Sequence, residues 1–427
     1  GLFFDDAIQT NVPGVQMNRR TVSGGQQLNI RGYGNGARGT RGANSNFDGQ
    51  GYKVYLNGIP VTDAEGITTM DDIDFGSIGN AEITKGPAGT LYGQAIAGAV
   101  NLKTIAPEKG KTVVGQEIQL GNYGLRRFTT GFQSADDKNA ILLNYGNQSS
   151  DGFAWHNRSK KDFLNFSYST KPSDKQSIST YLGYSDSYDE RLGELTPTQW
   201  ASNDYSGNIE YLKRNAHSHV ITFRAGITHS YEISRSITNT TTLFGTGFRS
   251  DVSSAGGWTD KTSVNYGLRS SFDVRLNLVK DITLIGLTGV ELQRQDAQTI
   301  GYSMKQNPSD TTTSGWNFSK PYWVINAATS NVAFTTSPTL VFSQWSIHFP
   351  KDLSLTAGLS YNKQRILLED RFNSATPTRP ARFDTAYSNM LSPSLSLNKV
   401  FRIERSEEHT SELQSRQYLV CRLLLEK

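Results

Sequence analysis

Residues 82–104, EITKGPAGTLYGQAIAGAVNLKT, are the stretch that decides the fold. Glycine and proline recur through it, so the backbone turns repeatedly and cannot continue as one helix or strand. β-prone pieces flank the turns, at 81–84 before them and at 99–102 after them. The stretch therefore predicts two short strands joined by a glycine-rich connection.

Four ordered pieces of this stretch resemble the plug-domain signature of TonB-dependent outer-membrane receptors: Lys85-Gly86-Pro87, Leu91-Tyr92-Gly93, Ala97-Gly98-Ala99, and residues 100–104. The resemblance continues upstream, in Ile30-Arg31-Gly32 and in the hairpin sequence of residues 54–60. It implies a set of plug signature residues, namely Arg31, Gly32, Asn57, Gly58, Glu82, Gly86, Pro87, Tyr92 and Gly93. A generic glycine-rich turn in a soluble β domain is the alternative, and the length and order of the match speak against it.

The sequence departs from the family pattern at two positions. Asn80 stands where many relatives carry an arginine, and Lys85 stands in place of a common arginine before Gly-Pro. The plug-to-barrel ion pair that the family forms at the first position is therefore not expected for Asn80, whereas Arg31 and Glu82 keep their places.

The N-terminal hundred residues predict a small mixed domain. A short helix near residues 4–8 is followed by a stop and a strand at Val15, and a strand is predicted over 27–32. Residues 34–39 fit G-x-G-x-x-G after that strand, but residues 40–51 are rich in Gly, Asn and Ser and cannot open the helix that a dinucleotide site needs. A nucleotide site is therefore not expected.

Composition excludes several classes. The chain has 427 residues, 36% hydrophobic residues and a mean hydropathy of −0.49, and it contains no run long enough for a transmembrane helix. Forty glycines and 11% aromatics are typical of a membrane β-barrel, whose strands alternate apolar and polar residues. The net charge of +4 gives no case for nucleic acid, and the single cysteine, Cys421, excludes a disulfide-stapled fold. No signal peptide is visible, so an exported protein would have lost its leader before Gly1.

From Lys111 to about Val400 the hydrophobic pattern has period two, as in 272–278, 353–362 and 164–169. A soluble sandwich gives the same local alternation. Strands of roughly ten residues or more, alternating short and long connections and aromatic residues near strand ends favour a barrel in lipid. Connections at 135–138 and 172–175 are predicted short, those at 192–216 and 297–320 long and polar, and Tyr184, Tyr188 and Trp345 are the aromatic examples.

About a dozen such strands are counted, whereas plugged outer-membrane transporters have about 22. The predicted fold is a small α/β plug domain (1–108) inside an antiparallel transmembrane β-barrel (109–404) that is truncated to about half its strands. We expect the sheet not to close, leaving open edges at the Lys111 strand and at the strand over 391–400.

Residues 405–427 read as a helix with a Ser406 cap and an apolar stripe. They also closely resemble the in-frame translation of a common sequencing adapter, with Arg416, Gln417 and Tyr418 as its index region. We therefore interpret 405–427 as a non-native, adapter-derived tail and expect it to pack poorly or to form a helix without a consistent partner.

No catalytic constellation is found, so an enzyme is not expected, and neither a cofactor nor a resident metal is expected. His217 and His219 share one face of a strand without a third ligand nearby in sequence and are interpreted as a polar pair. The acidic residues Asp71, Asp72 and Asp74 lack the spacing of a calcium loop and are interpreted as a solvated turn. Residues 223–225, Phe-Arg-Ala, resemble a short box of haem receptors, but Gly226 replaces its proline and we interpret them as strand.

The resemblance implies energised uptake of a scarce nutrient across the cell outer membrane, with a ferric siderophore or another iron chelate as the first candidate. Vitamin B12, haem and glycans are substrates of the same class, and a porin or an adhesion barrel is the non-transporting alternative. It also implies a periplasmic TonB complex as partner, acting through a TonB box expected before Gly1, and the lipid of the outer membrane as surroundings.

The glycine-rich excursion after Arg31 carries the candidate substrate-binding residues. Family resemblance places it among the apical loops that face the substrate, where Arg38, Arg41 and Asn44, together with Tyr92, are predicted to bind it. The planar fork of arginine suits the carboxylates and hydroxamates of an anionic iron chelate. Flexible, solvated arginines in a loop are the alternative.

Overall fold

A computed structural model of the chain describes residues 8, 11–19, 21, 26–34, 51–86, 89–93, 95–279, 281–307, 322–373, 382–399 and 420–424, and the structural statements below concern these residues. Side chains are not described for Gly89, 382–388 and 420–424. No helix in these ranges is long and apolar enough to cross a membrane.

The N-terminal part is a small domain built on two sheets. Its strands are β1 (Val15–Asn18), β2 (Gln27–Ile30), β3 (Tyr33–Gly34), β4 (Tyr52–Leu56), β5 (Ile59–Pro60), β6 (Ile78–Lys85) and β7 (Gly98–Thr104), with a 3₁₀ turn at Phe75–Ser77 and a one-turn helix α1 at Gly89–Tyr92. The first sheet has the order β1-β2-β3, and in the second sheet β7 lies between β6 and β4. β4 and β7 are parallel, whereas β6 and β7 are antiparallel, so the predicted mixed plug is confirmed.

A wall of twelve antiparallel strands follows: β8 (Thr112–Leu120), β9 (Arg126–Ala135), β10 (Asn139–Ser150), β11 (Ser159–Ser173), β12 (Gln176–Glu190), β13 (His217–Ser234), β14 (Ile237–Ser254), β15 (Gly257–Val279), β16 (Ile282–Gln306), β17 (Trp323–Phe349), β18 (Leu353–Asp370) and β19 (Arg382–Lys399). Each strand pairs with its neighbours in sequence, from β8 at one end of the sheet to β19 at the other. The predicted open sheet is therefore confirmed, since the described strands place β8 and β19 at opposite edges.

The wall has two faces of opposite chemistry. Along β11, Phe163 and Asn165 are buried against the plug while Leu164 between them is 37% exposed. Along β15, Phe272, Leu276 and Leu278 are exposed on the face turned away from the plug. We call the face that contacts the plug the inner face and the opposite one the outer face. The predicted period-two alternation thus has the arrangement of a barrel wall, with apolar residues outside.

The hydrophobic core belongs to the plug. Ile8, Val15, Leu28, Val54 and Ile83 are among its fully buried members, and two wall residues, Tyr181 and Phe244, join the same cluster. The plug therefore lies against the inner face of the wall, as predicted, and its core continues into that face.

Signature residues form the turns of the plug. Arg31 and Gly32 follow β2 with φ of 52° and 85°, and Asn57 and Gly58 join β4 to β5 with φ of 51° and 82°. Positive φ at both central residues of a two-residue hairpin is the type I′ geometry that Asn-Gly favours. The Asn57 side chain also accepts a hydrogen bond from the Thr104 amide at 3.1 Å, which ties this hairpin to β7.

The Gly-Pro and Leu-Tyr-Gly pieces have related roles. Gly86, with φ of 103°, ends β6, and its amide donates to the Ala97 carbonyl at 2.8 Å. Leu91 and Tyr92 belong to α1, which Gly93 ends with φ of 67°, so the predicted turn is a one-turn helix with a glycine stop. Glu82 lies in β6 opposite Asn101, and Pro87 falls outside the described residues.

The connections differ from the prediction in one place. Short turns at 136–138 and 174–175 are confirmed, and the long 191–216 connection contains two short helices, α2 (Pro197–Ala201) and α3 (Ile209–Lys213). The predicted loop 297–320 is wrong in its first part, because β16 continues as strand to Gln306. Residues of the 297–306 segment pair with both β15 and β17, so the two neighbouring strands satisfy its backbone hydrogen bonds. The segment was predicted as a loop because its side chains are polar.

The tail departs from its predicted helix. Val420–Leu424 forms β20, which pairs antiparallel with β6 over five residues of the plug sheet. Without β20, β6 would be the edge strand of that sheet, and the unpaired N–H and C=O groups of an edge accept any β-prone segment within reach. The expectation of a helix or of a partnerless segment is wrong for these five residues, while the adapter origin of 405–427 stays a prediction.

Candidate functional site: the plug–wall interface

Charged side chains on the inner face meet charged side chains of the plug at buried positions. The most buried pair joins Arg224 of β13 to Asp72 of the plug, whose side chains are 1% and 0% exposed. Nε of Arg224 donates to one carboxylate oxygen at 2.7 Å and Nη2 to the other at 3.0 Å. Remaining guanidinium donors reach the carbonyls of Pro60 and Thr69, each at 3.2 Å, and the Thr246 hydroxyl at 3.1 Å. Bidentate geometry and satisfied donors are what a buried ion pair requires.

The acidic residues around Asp72 are not the solvated turn that was predicted. Asp71, Asp72 and Asp74 are 7%, 0% and 3% exposed. Asp74 binds Arg127 of β9 at 2.6 Å, and its backbone amide donates to Asn165 of β11 at 2.8 Å. The prediction failed because the partners lie on strands more than fifty residues away, which local spacing does not reveal.

Glu291 of β16 is the centre of a second buried cluster. Its carboxylate accepts from Lys53 at 2.7 Å, from the Tyr55 hydroxyl at 2.9 Å and from Arg269 of β15 at 2.6 Å. Two of these partners belong to the plug and one to the wall, so a single carboxylate bridges the two units. Burial, together with the Glu291 charge, raises the pKa of Tyr55 well above its ordinary value of 10, so its hydroxyl stays a donor at physiological pH.

Arg269 also holds the signature helix α1. Its guanidinium carbon lies 4.5 Å from the ring centre of Phe342, 5.3 Å from that of Tyr55 and 5.6 Å from that of Tyr92. Nη2 donates to the Leu91 carbonyl at 3.2 Å. Cation–π contacts of this kind strengthen when they are desolvated, so Arg269 fixes the Leu-Tyr-Gly piece against the wall.

A third contact lies in the plug hairpin that a bridge between Thr62 and Thr68 closes. Glu65 binds Lys261 of β15 at 3.1 Å, and Gln295 of β16 donates to Asp63 at 3.1 Å. Burial raises the pKa of the Glu65 carboxyl from 4.5 to about 7, against the opposing effect of the Lys261 ammonium. Burial likewise raises the pKa of Asp63. This contact is therefore the part of the interface whose charge changes near neutral pH.

The interface leaves a small polar void. A cavity of about 30 Å³ between plug and wall is lined by Asp63, Arg224, Asn265 and Thr222 among others. The side chains of Asn265 and Thr222 are buried there, and neither the Asn265 amide group nor the Thr222 hydroxyl has a partner among the described residues. Such a cavity has room for about two water molecules.

The predicted histidine pair lies on the outer face. His217 and His219 both contact Asp251 of β14, at 3.3 and 3.0 Å, and His219 also contacts Asp186 of β12 at 2.9 Å. Within the described ranges no group of three or more His, Cys, Asp or Glu residues has the arrangement of a metal site. The histidines are therefore a polar, carboxylate-linked pair in this structure.

The predicted substrate-binding residues are only partly visible. Arg38, Arg41 and Asn44 fall outside the described residues. Tyr92 is half-buried in α1, where its ring centre lies 5.4 Å from that of Tyr55 and its hydroxyl accepts from Asn101 at 3.3 Å. Its predicted role in substrate binding stays a prediction.

Sequence reasoning missed the wall partners. Arg224, Arg269, Glu291 and Lys261 are charged residues at inner-face positions whose nearest inner-face neighbours on the same strand are uncharged. That placement is the one signal by which the sequence could have indicated them. Lys53, Glu65, Asp72 and Asp74 of the plug each make an ion pair to the wall.

Residues 4–100 match the family model described as the TonB-dependent Receptor Plug Domain. Over 218 residues the chain is 27% identical to the vitamin B12 transporter BtuB of Vibrio vulnificus (strain CMCP6), a match that covers 46% of this chain and 34% of that protein. The chain thus spans about a third of the length of this curated relative.

Solved structures resemble the whole described fold. The unliganded ferric citrate transporter FecA superposes with a TM-score of 0.68 at 13% identity, covering 92% of this chain and 57% of that one. The siderophore receptor PiuA from Acinetobacter baumannii superposes with a TM-score of 0.64 at 14% identity, covering 92% and 58%. At such identities the likeness concerns the fold alone.

A plug domain seated against the inner face of an antiparallel wall, with apolar residues on the opposite face, defines the class of plugged outer-membrane barrels. The plug match in sequence and the fold of the whole chain agree on one family within that class. Residues 4–100 are a plug domain of the TonB-dependent receptors, and the predicted resemblance to that family and the predicted localisation in the outer membrane are confirmed.

Proposed function

We propose that this chain is the plug and part of the barrel of a transporter that takes up a scarce, large nutrient across the outer membrane with energy supplied through TonB. The observation that carries the proposal is the plug itself, which fills the inner face of the wall through the contacts of Asp72, Glu291 and Glu65. A porin or an adhesion barrel does not require a domain of this size inside its wall.

The character of the interface supports a plug that moves. Apart from the packing of Tyr181 and Phe244 and the ring contacts of Arg269, the contacts described above are ion pairs and hydrogen bonds, and a cavity beside them has room for water. Polar, hydrated interfaces resemble those of transient complexes, because water can replace their contacts when the partners separate. A periplasmic pull on the plug would therefore exchange these bonds for bonds to water.

A ferric chelate is the proposed substrate. Arg38, Arg41 and Asn44 supply the donors that bind carboxylates and hydroxamates bidentately. The neighbours in fold include a ferric citrate transporter and a siderophore receptor, which agrees with this choice. Cobalamin is the second candidate, because a curated relative with detectable sequence identity is a vitamin B12 transporter.

Binding to the complete receptor in outer-membrane vesicles tests the proposal. We expect at least one ferric chelate of a panel of citrate, catecholate and hydroxamate complexes to bind, and the double change Arg38→Ala and Arg41→Ala to weaken it by about tenfold or more. Arg126→Ala, an exposed arginine of β9 on the outer face, is the matched control and should bind as wild type. Tight binding of cobalamin with no affinity for any ferric chelate would assign the second substrate, and binding of neither would contradict the proposal. That the chain is not an enzyme, and that it works without a cofactor, stay predictions.

A further inference from the structure

The 191–216 connection returns to the wall at a cluster of histidines and carboxylates on β12, β13 and β14. His217 is the first residue of β13 and directly follows the connection. Its ring stacks on that of Tyr188 with the centres 5.0 Å apart, and Trp258 of β15 packs steeply against it at 5.1 Å. Only 5% of His217 is exposed. A buried imidazole therefore lies where the connection joins the wall, a point that we call the root of the connection.

Both ring nitrogens of His219 face carboxylates. Nε2 lies 2.9 Å from Asp186 of β12, and Nδ1 lies 3.0 Å from Asp251 of β14. A neutral imidazole carries one N–H, so it donates to one of these carboxylates and turns a lone pair toward the other. The imidazolium form donates to both. The geometry is therefore that of a charged His219 that links β12 to β14.

His217 uses its two ring nitrogens in the same way. Nδ1 lies 2.6 Å from the carbonyl oxygen of Asn215, which belongs to the connection, and Nε2 lies 3.3 Å from the second oxygen of Asp251. A carbonyl oxygen and an ionised carboxylate both accept and cannot donate. Two imidazolium rings thus share the Asp251 carboxylate, and one of them holds the last residues of the connection.

The cluster is strongly acidic once the histidines are neutral. Asp162 lies directly opposite Asp186 in the register of β11 and β12, and Asp260 lies directly opposite Asp251 in that of β14 and β15. Like charges directly opposite one another destabilise a sheet. Within the described ranges, the histidines are the cations that lie in ion-pair distance of Asp186 and Asp251. The other charged or titratable groups around them are Lys160, which pairs with Asp162, Arg158, which pairs with Glu190, and Tyr188, His156 and Arg249.

Loss of a proton from His219 therefore acts against this arrangement. Histidine exchanges its second ring proton between about pH 5 and pH 8. When His219 becomes neutral, Asp186 or Asp251 loses its donor and faces a lone pair of the ring as well as the carboxylate opposite it. The closed root holds a proton that a released root gives up, so the closed root is favoured at low pH and declines as pH rises.

The connection carries aromatic side chains whose packing reports its position. Trp200 is 64% exposed and packs against Tyr205 with the ring centres 6.3 Å apart. Tyr205 packs in turn against Phe153 of the β10–β11 connection at 5.6 Å. Long connections mark the extracellular side of outer-membrane barrels, so these rings face the medium. A released root would let Trp200 and Tyr205 separate from Phe153.

We propose that His217 and His219 form a pH-sensitive latch for the 191–216 connection, closed in a mildly acidic medium and released in a mildly alkaline one. His219 senses the pH, because it binds two carboxylates only when it is charged. His217 shares Asp251 with it and holds Asn215, so the change reaches the connection. The proposal does not depend on what the receptor transports.

Trypsin cleavage of the complete receptor, purified in mild detergent, tests the latch. Lys213 and Arg214 precede the root by a few residues, and mass spectrometry measures cleavage after them at about pH 5.5 and about pH 8. Dividing each rate by that at Arg371, an exposed site after β18, removes the pH dependence of trypsin itself. For one proton held by the closed root, we expect the relative rate to be about tenfold higher at the higher pH.

Two variants separate the latch from a purely structural contact. Asp186→Asn supplies an amide that donates to neutral His219, so the connection should stay protected at both pH values. His219→Gln removes the group that gains the proton, so cleavage should be fast at both. His229→Gln is the matched control, because it makes the same change on the same face of β13 away from Asp186 and Asp251, and it should follow wild type.

Three results would overturn the proposal: a relative rate in wild type that does not change with pH, a wild-type pH dependence in His219→Gln, or cleavage of Asp186→Asn that rises with pH as in wild type. Were His219→Gln unable to fold, Asp186→Asn would decide alone, because its protection at the higher pH requires a histidine that senses the proton.

Discussion

The two faces of the same strands show what one alternating pattern can encode. On β15 the inner face carries Lys261 and Arg269, both bound to acidic groups at the plug–wall interface, while Val264 and Phe272 on the outer face are 56% and 45% exposed. In a soluble sandwich the buried face would be the apolar one. Here the buried face is polar and the exposed face apolar. The exposed face is surrounded by lipid, and the buried face contacts the plug domain. Burial and polarity are therefore inverted relative to a soluble β protein.

The largest expected effect comes from breaking an inner-face ion pair. Asp72→Ala leaves the Arg224 guanidinium buried without its carboxylate, which should destabilise the receptor by about 3–5 kcal/mol. Urea unfolding of the purified receptor measures it. Lys160→Ala breaks an exposed pair with Asp162 on the outer face, whose side chains are 63% and 33% exposed, and should cost about 0–1 kcal/mol. Similar losses for the two variants would show that the inner pair is hydrated like the outer one.

The second-largest effect is expected when a positive charge is placed on the outer face of β15 and compared with one placed on its inner face. Phe272→Arg puts a cation on the lipid-facing side of β15 and should cost about 2–4 kcal/mol of folding free energy in the membrane. Asp273→Arg, at the adjacent and exposed inner-face position, should change it by about 0.5 kcal/mol or less. Folding titrations into lipid vesicles compare the two. If Asp273→Arg were the more damaging, the assignment of the faces on β15 would be reversed.

The smallest expected effect is a pH dependence of the inner face. The Glu65 pKa is about 7 in the folded protein against 4.5 ordinarily, so the folded state holds a proton that the unfolded state releases. Stability from this group is therefore present below about pH 4.5 and declines as pH rises through about 7, by about 1–3 kcal/mol in total. Unfolding of wild type at pH 5 and pH 8 should show this decline, and Glu65→Gln should flatten it. Glu108→Gln, at an exposed pair with Lys111, should leave the slope unchanged. An identical slope of stability against pH in Glu65→Gln and wild type would show that Glu65 does not cause the pH dependence.

Local sequence predicted the turns and the alternation but not the pairing between distant segments. Asn57-Gly58 predicts its hairpin because only a few residues adopt two successive positive φ values, and 272–278 predicts its strand because period two needs no partner to be recognised. Asp72 was assigned to solvent because its partner Arg224 lies 152 residues away in the chain. The 297–306 segment was assigned to a loop because its polar residues resemble one until two neighbouring strands are present to pair with it.

The candidate site divides in the same way. Plug signature residues such as Glu82 and Gly86 were predictable because a family pattern covers them. The wall residues Arg269 and Glu291 were not, because nothing in the alternation of β15 and β16 distinguishes a charge that faces water from one that faces the plug. Whether such a charge faces water or the plug depends on where the plug lies against the folded wall.

The central claim is that the plug lies against the inner face and must move for transport. Thr90 of α1 donates to Ser394 of β19 at 2.9 Å across the plug–wall interface, so cysteines at both positions are close enough for a disulfide. In the complete receptor, Thr90→Cys with Ser394→Cys should cross-link on oxidation, stop substrate uptake and recover it on reduction. Thr90→Cys with Leu395→Cys, one residue further and 77% exposed on the outer face, should neither cross-link nor lose uptake. Failure of the first pair to cross-link, or undiminished uptake once it has cross-linked, would contradict the account.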